Sequence, residues 1–391
     1  MKKLILILVL VGLMGVGFFS YKSFSDNDKN INSNSKNIID EKIVKDDVLI
    51  KKKDLFEDYY DEALKMMKTM SLEEKIGQLF LVRYDKYSAI NEINNYCTGG
   101  YLLFAKDFNN HTKESISSEI SNLQDTSKYP LVIAVDEEGG FVTRVSRYSN
   151  FRSEKFYAPK YYYELGGYEL LSQIEDEKAK LLLSLGINLN LAPVADISVN
   201  PSDFIYSRSF GMDASSTATF ISNMVGYANN AGISSSLKHF PGYGNNVDTH
   251  TGIAIDNRSY EEFINNDFLP FKSGIENKVP TILVSHNIIN CIDNSYPASL
   301  SFKVISELRD TLDFSGIVMT DDLAMDAVKS YVVDGKAATL AIYAGNDLII
   351  TSDFVNMYNE VLTAVNNEEI SLERINDSVK RILAWKIAYN M

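Results

Sequence analysis

The sequence predicts an α/β chain folded as a (β/α)8 TIM-type barrel, and three observations predict it. Eight apolar runs of strand length recur along the chain, at 79–82, 100–104, 131–135, 188–192, 234–238, 281–285, 317–320 and 347–351. Longer amphipathic segments lie between most of them, such as 168–185, 215–231, 260–276 and 336–344, with a last helix over 372–389. The runs also lack polar alternation: Leu131-Val132-Ile133-Ala134-Val135 is apolar throughout. Strands buried on both faces read that way, as they do in parallel sheets covered by helices. A doubly wound open sheet is the main alternative, and no Gly-rich dinucleotide fingerprint follows the first strand to support it.

The elements justify themselves in order. Met1-Lys2-Lys3 precedes an apolar run from Leu4 to Phe19, the pattern of a signal peptide or an N-terminal membrane anchor over residues 1–20. The run is slightly short for a full span, which needs about 20 residues. Residues 21–53 are rich in Ser, Asn, Asp and Lys and read as a polar linker. The barrel domain then occupies 54–391. Tyr59 to Met70 has helical periodicity, and Ser71-Leu72-Glu73-Glu74 has the form of an N-cap with a carboxylate three residues on.

Composition removes several function classes. The 391 residues carry a formal charge of −14, which argues against nucleic acid and against tight adsorption to anionic lipid. Cys97 and Cys291 are too sparse for a disulfide scaffold and are expected to be unpaired. No CxxC or HExxH spacing exists, and the tandem acids Glu137-Glu138 lack a second oxygen-ligand cluster, so neither a metal nor a cofactor is expected.

In a barrel of this kind, chemistry sits at the C-terminal ends of the strands. Charged residues fall there repeatedly. The third strand ends in Asp136-Glu137-Glu138-Gly139-Gly140, with Arg144 close behind. The fourth leads to Asp196 and, on its loop, Arg208; the fifth ends in Lys238-His239, the sixth in His286-Asn287 and the seventh in Asp321-Asp322. Cations beside carboxylates keep them ionised, and an ionised carboxylate is a good nucleophile toward an anomeric carbon. The partner must give a proton to the leaving oxygen and later take one from water. His250 has the right chemistry near neutral pH, and Asp248 two residues earlier can hold its ring. Asp196 reads as a holder of loop backbone, His111 as a surface residue, and His286 as either structural or part of the site.

At these residues the sequence resembles glycoside hydrolase family 3, in its β-N-acetylglucosaminidase branch. The likeness runs from about Leu72 to the C-terminus. It is carried by Lys238-His239-Phe240-Pro241-Gly242 with Asp248-Thr249-His250, and by Gly316-Ile317-Val318-Met319-Thr320-Asp321-Asp322. The resemblance implies His250 as acid/base, Asp248 as its partner and Asp321 as nucleophile, with Asp322 a neighbour. It also implies that Asp136, Arg144, Arg208, Lys238 and His239 bind the sugar. Two departures stand out. Phe141 replaces the usual arginine after Glu-Gly-Gly, and Tyr243 replaces the histidine of Pro-Gly-His-Gly. The chain stops just after the barrel's last helix, so a single catalytic domain is expected, without the second C-terminal domain of some relatives.

The expected function is release of terminal, non-reducing β-linked N-acetylglucosamine from peptidoglycan fragments, GlcNAc-MurNAc muropeptides or related glycans. The expected enzyme is extracytoplasmic, secreted or anchored to the outer face of the membrane, and monomeric. A histidine acid/base does not repel anions, so a glycoside phosphorylase is the nearest alternative. A non-catalytic barrel that binds wall sugars is the alternative from a different class.

Overall fold

The computed structural model describes residues 53–245, 254–329, 331–332 and 335–391. Its centre is a ring of eight parallel strands: β1 (Phe80–Arg83), β2 (Gly100–Leu103), β3 (Val132–Val135), β4 (Leu189–Asn190), β5 (Ser234–Phe240), β6 (Thr281–Val284), β7 (Ile317–Thr320) and β8 (Ile349–Thr351). Each of β1 to β6 pairs with the next in chain order, and β8 pairs with β1, Phe80 lying opposite Ile349. A parallel bridge between Met319 and Leu348 joins the two ends and closes the barrel. Every residue of β2, β3, β6 and β7 is buried. Their uninterrupted Val, Ile, Leu and Met content follows from having barrel on one side and helices on the other.

Helices return the chain between strands, as crossovers of a parallel sheet must. The longest, Pro159–Ser184, begins nine residues ahead of the segment that periodicity predicts and bends at Gly166-Gly167, where the backbone leaves helical geometry. Those two glycines broke the pattern. The segment predicted as one helix over 260–276 is instead Tyr260–Glu262, a wider π-type turn at Phe263–Asp267, then Phe268–Glu276. Ahead of β1, the helix Leu72–Gly77 carries the reciprocal cap read from the sequence. Glu74 N–H donates to Ser71 Oγ at 3.2 Å, and Ser71 N–H donates to Glu74 Oε2 at 3.0 Å.

The floor of the barrel is sealed by the last helix, Leu372–Ala388. Trp385 is fully buried and its Nε1–H donates to Ser234 Oγ at the start of β5, 2.9 Å away. Lys386 Nζ donates to Gln78 Oε1, Gly99 O and Pro130 O at 2.7, 2.8 and 2.6 Å. Those acceptors lie just before β1, β2 and β3, so one ammonium ties three strand entries together. Cys97 and Cys291 are not paired with each other.

Candidate active site

The opposite, C-terminal end of the barrel holds a cavity of about 340 Å3. Small-molecule sites run from roughly 300 to 1,000 Å3, so this one suits a single sugar ring. Among the residues lining it are Asp136, Glu138, Arg144, Arg208, Lys238, His239, Asp321 and Asp322.

The wall after β3 is built by an alternation of side chains. Asp136 and Glu138 face the cavity, while Glu137 between them faces the protein and accepts from the backbone N–H groups of Arg144, Val145 and Ser146 at 2.7, 2.8 and 3.2 Å. That holds the loop and thereby Arg144. Gly139 is needed here: its φ is +101°, and a Cβ would lie 2.3 Å from the Tyr157 carbonyl oxygen.

One lysine joins the two cavity-facing acids. Lys238 Nζ lies 2.8 Å from Asp136 Oδ1 and 2.6 Å from Glu138 Oε1. Arg144 reaches Asp136 Oδ2 at 3.1 Å, and Arg208 takes Glu138 through two parallel bonds of 3.0 and 2.7 Å. Burial alone would push both carboxyls up. The charges of Lys238 and Arg144 overcome this and hold Asp136 well below the usual carboxylate range. Lys238 and Arg208 bring Glu138 down to about 2. Both acids are therefore ionised acceptors, suited to sugar hydroxyls.

Lys238 and His239 are consecutive, both line the cavity, and the peptide joining them is cis. Asp196 holds this corner. Its carboxylate accepts from His239 N–H at 3.0 Å and Tyr243 N–H at 2.8 Å, and lies 2.7 Å from His239 Nδ1. The role read for Asp196 as a holder of loop backbone is what the structure shows. Tyr243 is buried with its ring edge-on to His239, centroids 5.1 Å apart at 84°. Phe141 is 81% exposed.

The loop after β7 presents Asp321 and divides the work of its two acids. Asp322 Oδ1 accepts from Ala324 N–H at 2.9 Å and Ser352 N–H at 3.1 Å, which caps the turn and pins it to the end of β8. Asp322 N–H donates to Asp321 Oδ1 at 2.8 Å, and Asp321 N–H donates to the Val284 carbonyl at 3.0 Å. His286, at the end of β6, lies 2.7 Å from Ser299 Oγ and 3.1 Å from the Asp322 carbonyl. It braces the loop that carries Asp321.

Residues 71–385 match the family described as glycosyl hydrolase family 3 N terminal domain. The chain belongs to glycosyl hydrolase family 3. β-Hexosaminidase A of Pseudoalteromonas piscicida is 28% identical over 322 residues, 75% of this chain and 54% of that protein. The β-hexosaminidase of Hydrogenovibrio crunogenus is 30% identical over 274 residues, 69% of this chain and 76% of that protein. The solved structure of a family 3 β-N-acetylglucosaminidase from Paenibacillus sp. FPU-7 matches with a TM-score of 0.77 at 29% identity, covering 82% of this chain and 63% of that one. The chain thus spans about half the length of the first relative and three quarters of the second. Both of these curated relatives are β-hexosaminidases.

Within this family 3 site, six of the eight residues singled out from the sequence share one cavity: Asp321, Asp136, Arg144, Arg208, Lys238 and His239. The other two, Asp248 and His250, lie outside the described residues. Sequence reasoning passed over three contributors. Glu138 stands among the acids at the end of the third strand but is not singled out for sugar binding, although its two-residue offset from Asp136 puts both on one face. Arg83 closes β1 and Phe104 follows β2, so the strand-end rule applied elsewhere picks out both.

Proposed function

We propose that this chain is a retaining β-N-acetylhexosaminidase that releases terminal, non-reducing β-linked N-acetylglucosamine from peptidoglycan fragments. The observation that carries the reading is the shared cavity: a carboxylate from the end of β7 faces the same space as the ionised acids and cations from β3, β4 and β5. Asp136, Glu138 and the cations between them orient the ring. Asp321 attacks the anomeric carbon while His250 protonates the departing oxygen. A covalent glycosyl-enzyme forms on Asp321, and His250 then takes a proton from the water that attacks it. Asp248 holds the imidazole and stabilises its charged form. No metal or cofactor is required by these steps. The apolar run behind two lysines supports export, with 21–53 as a linker to the barrel.

The test is the product. A disaccharide of N-acetylglucosamine β-linked to N-acetylmuramic acid is expected to yield free N-acetylglucosamine, released initially as the β-anomer. Sugar 1-phosphate as the main product in phosphate buffer contradicts hydrolysis. Absence of turnover of this disaccharide and of aryl N-acetyl-β-glucosaminides favours a binding module. His250→Ala is expected to lose at least a hundredfold in kcat on unactivated glycosides, and much less on aryl glycosides whose leaving group needs little protonation. Equal loss on both substrate types contradicts the acid/base role.

A further inference from the structure

A buried cation and two buried acids beneath the turn after β5 have no part in the proposed mechanism. Arg258 donates through Nε and Nη2 to Asp256 Oδ2 at 3.0 and 2.8 Å, and through Nη1 to Asp267 Oδ2 at 2.7 Å. Its guanidinium lies on the Phe263 ring, 4.4 Å from the centroid. Asp267 is the last residue of the π-type turn and is only 3% exposed. Its Oδ1 is buried without a hydrogen-bond partner. Leaving a buried carboxylate oxygen unpaired is costly, so its position calls for an explanation.

The backbone resting on this pair supplies one. A Cβ on Gly242 would lie 2.2 Å from Asp267 Oδ1, and one on Gly244 would lie 2.7 Å from Arg258 Cζ. The turn after β5 is therefore seated directly on both side chains. Further along, Ala254 O accepts from Ile288 N–H at 2.8 Å, and Ile255 and Asp256 pair with Ile288 and Ile289 beyond β6. In sequence, Asp248 and His250 fall between these two places, after Gly244 and before Ala254. Arg258, through Asp256 on one side and Gly244 on the other, ties the chain that leads into this segment to the chain that leads out of it.

We propose that Asp267 and Arg258 are positioning residues for the acid/base. Joined to each other, they set the placement of the chain on both sides of His250, and so the protonation of the leaving oxygen, without touching the substrate. The inference rests on the glycosidase reading above and adds two residues that the reading does not use.

The support responds to pH. Burial pushes the Asp267 carboxyl up to about 6; the charges of Asp196 and Asp256 push the same way, and Arg258 opposes them. One cation between Asp256 and Asp267 leaves a surplus of negative charge that a proton on Asp267 removes. Above that pH, Asp267 holds Arg258 by a charge-assisted bond; below it, the neutral carboxyl holds it more weakly.

The experiment compares kcat/KM of the wild type, Asp267→Asn and Arg258→Lys from pH 5 to pH 8 on two substrates. One is the disaccharide of N-acetylglucosamine and N-acetylmuramic acid, whose leaving oxygen needs a proton. The other is an aryl N-acetyl-β-glucosaminide with an activated leaving group. Asp267→Asn keeps the size and removes the charge. At pH 8 it is expected to lower kcat/KM about tenfold on the disaccharide and no more than about twofold on the aryl glycoside. At pH 5, where Asp267 of the wild type carries its proton, the two proteins are expected to converge on the disaccharide. His250 is common to both, so their ratio isolates Asp267. Arg258→Lys, with charge but no planar fork, is expected to show the same dependence on leaving group with a smaller loss. Retained turnover of the aryl glycoside shows that each variant is folded. Equal losses on both substrates, no loss, or a ratio that does not change with pH overturn the inference and leave the glycosidase reading standing. A wild type that cleaves neither substrate overturns both readings together.

Discussion

A carboxylate with two cations on it gives up its proton readily, and Glu138 shows what that costs and supplies. Its pKa lies near 2 in the fold against an ordinary value of 4.5. A depressed carboxylate stabilises the folded state fully above its unfolded pKa, and that contribution is lost as the pH falls through the folded one. Glu138 therefore supports the fold above about pH 4.5 and ceases to do so toward pH 2, with Asp136 acting in the same direction. Thermal midpoints measured from pH 6 to pH 2 are expected to fall less steeply in Glu138→Gln than in the wild type. At neutral pH the variant leaves Arg208 and Lys238 short of a counter-charge, so a loss of about 3 kcal/mol is expected there. Parallel pH profiles for the two proteins would contradict the assignment.

At the scale of elements, the site depends on turns more than on strands. The turn after β5 uses Gly242 at φ +124°, where a Cβ would lie 2.2 Å from Asp267 Oδ1. That turn, with Asp196 beneath it, fixes His239 and leads toward Asp248. The strands themselves were legible because burial on both faces leaves an unbroken apolar signature. Helix limits were less legible. Gly166-Gly167 bends one helix and breaks its periodic pattern, hiding the turns before it, and a π-type turn interrupts another without altering the hydrophobic period enough to be read. The last helix holds the barrel floor through contacts that no local pattern announces. Lys386 reads as a charged helix residue, yet it is buried and donates to three acceptors at the entries of β1, β2 and β3. Lys386→Met keeps the apolar stem and strands those acceptors. Denaturant unfolding is expected to show a loss of about 3 kcal/mol, while kcat/KM at the opposite end of the barrel stays within about twofold. An unchanged midpoint would show that the acceptors find other partners.

For the whole molecule, one rule carried the reading from sequence to site: in a parallel barrel, residues just past the strands share a mouth. It brought Asp136, Arg144, Arg208, Lys238, His239 and Asp321 together although 185 positions separate the first from the last. It did not show which acid of each tandem pair faces inward. Glu137 turns to backbone while Asp136 and Glu138 face the cavity, and Asp322 caps a turn beside Asp321; such choices are made by hydrogen bonds rather than by residue type. Arg83 is not legible from the first apolar run, which stops at Val82, because the strand continues one residue beyond it.

On the proposed mechanism a carboxylate at the end of β7 forms a covalent bond to the sugar. The direct test is to incubate the purified protein with a slow, activated N-acetylglucosamine derivative, such as a fluorosugar fluoride, then digest it and locate the adduct by mass spectrometry. The account predicts one glycosyl group per chain, on the peptide containing Asp321, and none in Asp321→Asn. Labelling of a different carboxylate, or turnover of natural substrate by Asp321→Asn at the wild-type rate, would contradict it.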